Sequence, residues 1–223
     1  MQQQIERWQE AADQRSDFLR CYLLMTENML AALEAGEFHD PSWVDRLLDH
    51  FADYYFSALE VYEQDPAGTP AVWRMTFDST CQPDALVLQN LLLGVNAHIN
   101  YDLVFTLADM LGPDWQELSP LQRQERYQDH CQVNAVIRGT IDSVQDTIIE
   151  AELPAMNLVD TLFGQSDEWI VGKLISRWRD EVWEKAQNLL AAVNEQERLR
   201  LNDDIEQEAL QRANIISRLV PGS

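Results

Sequence analysis

Two side chains near the middle of the chain have the types and spacing for proton or metal chemistry. His98 and Asp102 stand four residues apart in Leu91-Leu92-Leu93-Gly94-Val95-Asn96-Ala97-His98-Ile99-Asn100-Tyr101-Asp102-Leu103, the most apolar segment of the sequence. On a helix that spacing stacks both on one face. An imidazole and a carboxylate inside an apolar helix cost free energy unless something pairs with them. Three arrangements meet that cost. As metal ligands they share one divalent ion, with His50, Asp53, His130 and Asp142 as the available additions from other helices. Such an ion acidifies water and polarises a substrate. As a base and its orienter they work without metal, the imidazole taking a proton while the carboxylate holds the ring. As a satisfied buried network they do no chemistry.

A second polar set lies further along. His130, Asn134, Arg138 and Asp142 fall at four-residue steps, with Gln145 and Asp146 a turn beyond. Four-residue steps drift slowly around a helix, so these groups form one inclined line. Facing the central helix, the line completes a site in which His98, Asp102, Asn134 and Asp142 are the catalytic set. Alternatively Arg138 pairs with Asp102 and Asn134 with His98 in a purely structural network, or the line is a solvated face. No Gly-x-Ser-x-Gly, P-loop or dinucleotide-binding glycine pattern supplies another chemistry. His130 and Cys131 are adjacent, which on a helix points them apart. The seven tryptophans and six tyrosines suit a core, and Trp73, Tyr101 or Trp178 would line an apolar ligand pocket.

The elements that must position these residues read as helices. Residues 4–35 are helical, in one piece or in two that meet near Asp13–Ser16, with Gly36 as a stop. Asp40-Pro41 is a cap and first-turn pair opening a helix to about Tyr62. Next come a short helix over about 70–79 and a central helix over about 83–111. Leu88, Leu92, Val95, Ile99 and Leu103 make one stripe of the central helix, and Leu86, Leu93, Ala97, Val104 and Leu111 lie opposite. A helix apolar on nearly all sides is enclosed by its neighbours. Ser119-Pro120 starts a helix over about 120–153, which Pro154 bends or breaks. A further helix reaches Val193. Residues 194–218 are charged helix with a narrow seam of Leu201, Ile205, Ala209, Ala213, Ile216 and Val220. The seam docks on its own bundle or joins two chains in a homodimer. No strand pattern and no repeat appears, so the expectation is a single-domain all-α bundle of six to seven helices around a buried central helix. Residues 1–193 form the bundle and 194–223 a C-terminal helical extension.

Composition narrows the partners. The 223 residues hold one sizeable core. A net charge of −22 opposes nucleic acid and anionic membranes and allows neutral or cationic ligands. Uninterrupted apolar runs such as Leu91-Leu92-Leu93 are far too short to cross a bilayer, which predicts no membrane span. Cys21, Cys81 and Cys131 are sparse and odd in number, and the polar N-terminus lacks a secretion signal. Both predict a cytoplasmic protein, and the C-terminal helical seam makes it a monomer or a homodimer through that helix.

The stretch 91–103, with its Asn96-Ala97-His98-Ile99 core, resembles the hallmark of a bacterial family known only as domain of unknown function 5995. Tyr22 with Met25-Thr26, Phe38 with Asp40, Phe51-Ala52 with Tyr55, Trp73, Asn134, and Ile141-Asp142 with Gln145 are similar to its pattern in order. His130 is not part of it, and 194–223 lie outside the resemblance. The resemblance implies an all-helical fold and no established activity. More distantly, the helical His-x-x-x-Asp resembles ligand pairs of zinc-dependent phospholipases C and related nucleases, which use several such pairs around three zinc ions. Four histidines and one such pair do not supply that set. The functional expectation is an enzyme-like protein, a metal-dependent hydrolase of a small neutral or cationic substrate. The alternative is a non-catalytic helical interaction or apolar-ligand-binding protein in which His98 and Asp102 are structural.

Overall fold

The computed structural model describes residues 1–82, 86–144 and 167–219, without the side chains of 142–144, 167–171 and 219. The described residues form eight helices and no strand. They are α1 (Gln2–Glu10), α2 (Arg15–Glu34), α3 (Pro41–Gln64), α4 (Ala71–Thr80), α5 (Val87–Leu111), α6 (Pro120–Val144), α7 (Asp167–Ala191) and α8 (Glu195–Leu219). The all-α class is as expected, with one helix more than the six to seven read from periodicity. The extra helix comes from a break between α1 and α2. There Ala12 takes a left-handed φ of 53° and Asp13 accepts from the Arg15 backbone and guanidinium. The bend expected at Pro154 and the groups Gln145 and Asp146 lie outside the described residues.

Local signals place the boundaries. α2 ends in a Schellman turn, with Gly36 at φ 73° donating to Leu33 and Glu37 donating to Ala32. α3 starts where Asp40 accepts from the Trp43 backbone at 2.9 Å and Pro41 fills the first turn.

α5 is the axis of the bundle, with α2, α3, α4, α7 and α8 packed around it. It is not a uniform helix. Two α-helical segments, Val87–Ala97 and Leu103–Leu111, are joined by a π turn at His98–Asp102. One extra residue in a helix rotates the downstream segment by about 100°. The two halves of α5 can therefore each present an apolar stripe to different neighbours. By length and a mean hydropathy of 1.2, α5 qualifies as a membrane-crossing helix, although 78% of the qualifying window is buried inside the bundle. Uninterrupted apolar runs missed it because small polar residues (Asn96, His98, Asn100, Thr106) divide the segment, and each of these is buried.

Helix α8 is an integral wall of the bundle. Ile205, Ala209, Ala213 and Ile216 are buried, and the helix packs on α4, α5 and α7. These four residues of the seam pack into this chain's own core, and Val220 lies outside the described residues.

Gly94 marks the tightest approach in the first half of α5. A Cβ there would overlap the Phe18 ring. Overpacking of this kind costs about 1–3 kcal/mol. Gly94→Ala is expected to lower unfolding free energy by that amount, read as a lower urea midpoint with an unchanged slope. An unchanged midpoint would show that Phe18 yields freely.

Candidate functional site

The π turn brings His98 and Asp102 together. His98 Nδ1 lies 2.9 Å from Asp102 Oδ2, and the residues are 4% and 1% exposed. Asp102 has a second partner from α4: Trp73 Nε1–H donates to Oδ1 at 2.9 Å and to Oδ2 at 3.0 Å. A carboxylate that accepts from both fixes the tautomer. Nδ1 carries the imidazole proton and Nε2 holds a bare lone pair. Nε2 is buried and has no hydrogen-bond partner among the described residues.

Aromatic rings enclose the imidazole. Phe51 from α3 stacks on it at 3.6 Å between centroids and 8° between planes. Tyr22 from α2 meets it edge-on at 4.5 Å. Phe18, Tyr55 and Trp73 stand 5.9, 6.2 and 6.2 Å away. Tyr22 is 8% exposed and Phe51 half-buried, so these two form the outer wall. Burial pushes the His98 pKa below 6.5 and the Asp102 pKa above 3.8, while their mutual hydrogen bond opposes both shifts. The imidazole is neutral at pH 7.

The other residues read from sequence are placed elsewhere. His50 pairs with Asp109 on the surface at 3.1 Å, and Tyr54 donates its hydroxyl to the same carboxylate oxygen at 2.7 Å. Asp53 is exposed on α3. The expected ligand set of His98, Asp102, His50 and Asp53 is therefore not assembled. Among the described residues no three His, Cys, Asp or Glu side chains come together as metal ligands. Asp102 is engaged by Trp73 and His98, and no third ligand side chain joins the pair among the described residues. These residues do not fit a divalent ion.

The polar line on α6 does not face the π turn either, because α6 packs chiefly on α2 and α7. Asn134 is buried, and its Oδ1 has no hydrogen-bond partner among the described residues. Arg138 is exposed, and the Asp142 side chain lies outside the described residues. His130 locks α6 to α7. Its Nε2–H donates to the Arg179 carbonyl at 3.0 Å, and the Arg179 guanidinium donates to its Nδ1 at 3.2 Å and its carbonyl at 2.9 Å. Burial, and then Arg179, hold His130 well below 6.5, while burial lowers Arg179 to about 10.

Sequence reasoning missed Trp73 as the partner of Asp102 and the rings as the wall of His98. A signal existed. Tyr22, Phe51, Tyr55 and Trp73 all carry the family resemblance, and all converge on one imidazole. The sequence profile of the family described as "Family of unknown function (DUF5995)" matches residues 1–219, and the chain belongs to this family. The match takes in α8, which the resemblance read from sequence left out. No curated protein and no solved structure matches the chain.

This geometry has two measurable consequences. Trp73→Phe keeps the ring and deletes one donor to a buried carboxylate. It should lower unfolding free energy by about 1–3 kcal/mol, read by denaturant titration, and a wild-type midpoint would contradict the bond. His130 gives a pH dependence. Its folded pKa is depressed, so its contribution is complete above the unfolded value of 6.5 and is lost as pH falls below it, where the unfolded chain takes up the proton. Stability measured from about pH 7.5 to about pH 5.5 should fall more steeply in the wild type than in His130→Gln. Equal slopes would contradict a buried neutral His130.

Proposed function

We propose that the chain is a small-molecule enzyme in which His98 is a general base oriented by Asp102, and that it works without a metal ion. The observation that carries this reading is the bare, buried, unpartnered Nε2 of His98, with Nδ1 engaged by Asp102. An unmade hydrogen bond of this kind costs about 1–3 kcal/mol, and a substrate or attacking water placed there would supply the missing donor. Trp73 holds Asp102, Asp102 holds the ring, and the ring presents one lone pair. This is the base half of a Ser-His-Asp arrangement, with no side-chain nucleophile beside it in sequence.

The reaction class that suits these parts is hydrolysis. Water gives a proton to Nε2 as its oxygen attacks an acyl-type carbon, and the imidazolium returns that proton to the leaving group. The Phe51 face stacked on the ring offsets part of the burial cost of the imidazolium formed in between, the same burial that keeps His98 neutral at rest. The closed wall and the net charge of −22 support a small, neutral or cationic substrate, not nucleic acid. His50, Asp53, Asn134 and Asp142 receive no role. The three free cysteines support a cytoplasmic setting.

A second reading has its own observation. His98 and Asp102 are enclosed on all sides, as members of a structural network would be. The burial of Ile205, Ala209, Ala213 and Ile216 in this chain's own core weighs against those four residues as a partner-binding face, while Leu199 and Ile215 of α8 stay exposed.

Turnover of a panel of small neutral and cationic esters and amides, with chelator present, separates the readings. General-base assistance is worth about 10²–10⁴ in rate. His98→Gln should lose kcat/KM within that range while circular dichroism stays helical, and chelator should leave wild-type turnover unchanged. Equal turnover by both proteins, or none by either, overturns the base reading in favour of the structural network. Loss of activity on chelation, restored by a divalent ion, returns the metal reading.

A further inference from the structure

The π turn carries a second polar pair, interleaved with the first and tied to a different part of the molecule. Asn96 and Asn100 are 0% and 1% exposed, and Asn100 Nδ2–H donates to Asn96 Oδ1 at 3.0 Å. Asn96 Nδ2–H in turn donates to the Ala209 carbonyl of α8 at 2.9 Å. Asn100 Oδ1 accepts from Arg212 Nη1 of α8, and Arg212 Nη2 donates to Glu181 Oε2 of α7 at 2.5 Å. The guanidinium also lies over the Trp178 ring, 5.7 Å from its centroid. The amide groups of both asparagines are thus engaged at the oxygen and at the nitrogen.

Asn100 is the middle residue of the π turn, two positions from His98 and two from Asp102. A single π turn inside an α-helix survives where side-chain contacts hold it. Relaxation to α geometry would rotate one half of α5 by about 100° against the other. Gly94 could not then face Phe18 while Asp102 faces Trp73. The side chain that grips the turn at its centre, Arg212, comes from α8 and acts through Asn100.

We infer that Arg212 is the positioning residue of the dyad: by clamping Asn100 between α7 and α8, it holds the π turn in which His98 meets Asp102 and Trp73. The inference rests on the base reading proposed above. Arg212 does not touch the imidazole or the carboxylate, so its effect on them passes through the backbone of the turn. The planar fork is essential, because two donors serve Asn100 and Glu181 together.

Imidazole nitrogen NMR on the full ¹⁵N-labelled chain tests this, with the His98 signals identified by their loss in His98→Gln. In the wild type His98 should show one neutral tautomer, protonated at Nδ1. In Arg212→Gln the helical content should persist, His130 should keep its wild-type pattern, and the single-tautomer pattern of His98 should be lost. Arg212→Lys, which keeps the charge but replaces the planar fork with a single ammonium nitrogen, should show the same loss and serves if the glutamine variant does not fold. An unchanged His98 pattern in a folded Arg212 variant overturns the positioning role and leaves the base reading standing. An Nε2-protonated or charged His98 in the wild type instead removes the base reading itself.

Discussion

His98 and Asp102 share one hydrogen bond inside an aromatic shell, and the rest of the bundle is arranged to tolerate it. Taking ionisable groups out of water costs several kcal/mol per ion even after relaxation. Three features offset that here. Trp73 gives Asp102 a forked donor, the imidazole gives a second, and the ring stays neutral so that only one group needs charge compensation. Each feature has its own structural requirement. Trp73 needs α4 laid against α5, Phe51 needs α3 on the next side, and Phe18 needs a helix without a side chain at Gly94.

The π turn reconciles these demands. A regular helix from Val87 to Leu111 would have one fixed phase, whereas this one changes phase where the chemistry sits. Two polar pairs use the same turn in opposite directions, His98–Asp102 toward α3 and α4 and Asn96–Asn100 toward α8. The C-terminal helix is therefore part of the site's construction although none of its side chains meets the imidazole in a hydrogen bond or ring contact.

Much of this was legible in the sequence. Asp40-Pro41 and Gly36 mark helix ends through local geometry, and local geometry was observed. The all-round apolar pattern of the central segment marked the enclosed helix, and His98 and Asp102 on it marked the candidate pair. Partner identity was not legible. Helical spacing says which face His98 occupies but not which helix lies opposite, so Asn134 and Asp142 on the four-residue line of α6 looked as eligible as Trp73. Tertiary packing sent α6 to α2 and α7. His50 and Asp53 failed as ligands for the same reason, since α3 turns Phe51 and Tyr55 inward and leaves His50 to Asp109 at the surface. The π turn itself has no composition signal in His-Ile-Asn-Tyr-Asp.

The central claim is a statement about one proton, so the most direct measurement is neutron diffraction from deuterated crystals of the intact chain near neutral pH. The geometry predicts deuterium on His98 Nδ1, directed at Asp102 Oδ2, none on Nε2, and an ionised Asp102 that accepts from Trp73. Deuterium on Nε2, or on an Asp102 oxygen with Nδ1 as the acceptor, would contradict it. His98 would then be a buried structural imidazole with no base to offer.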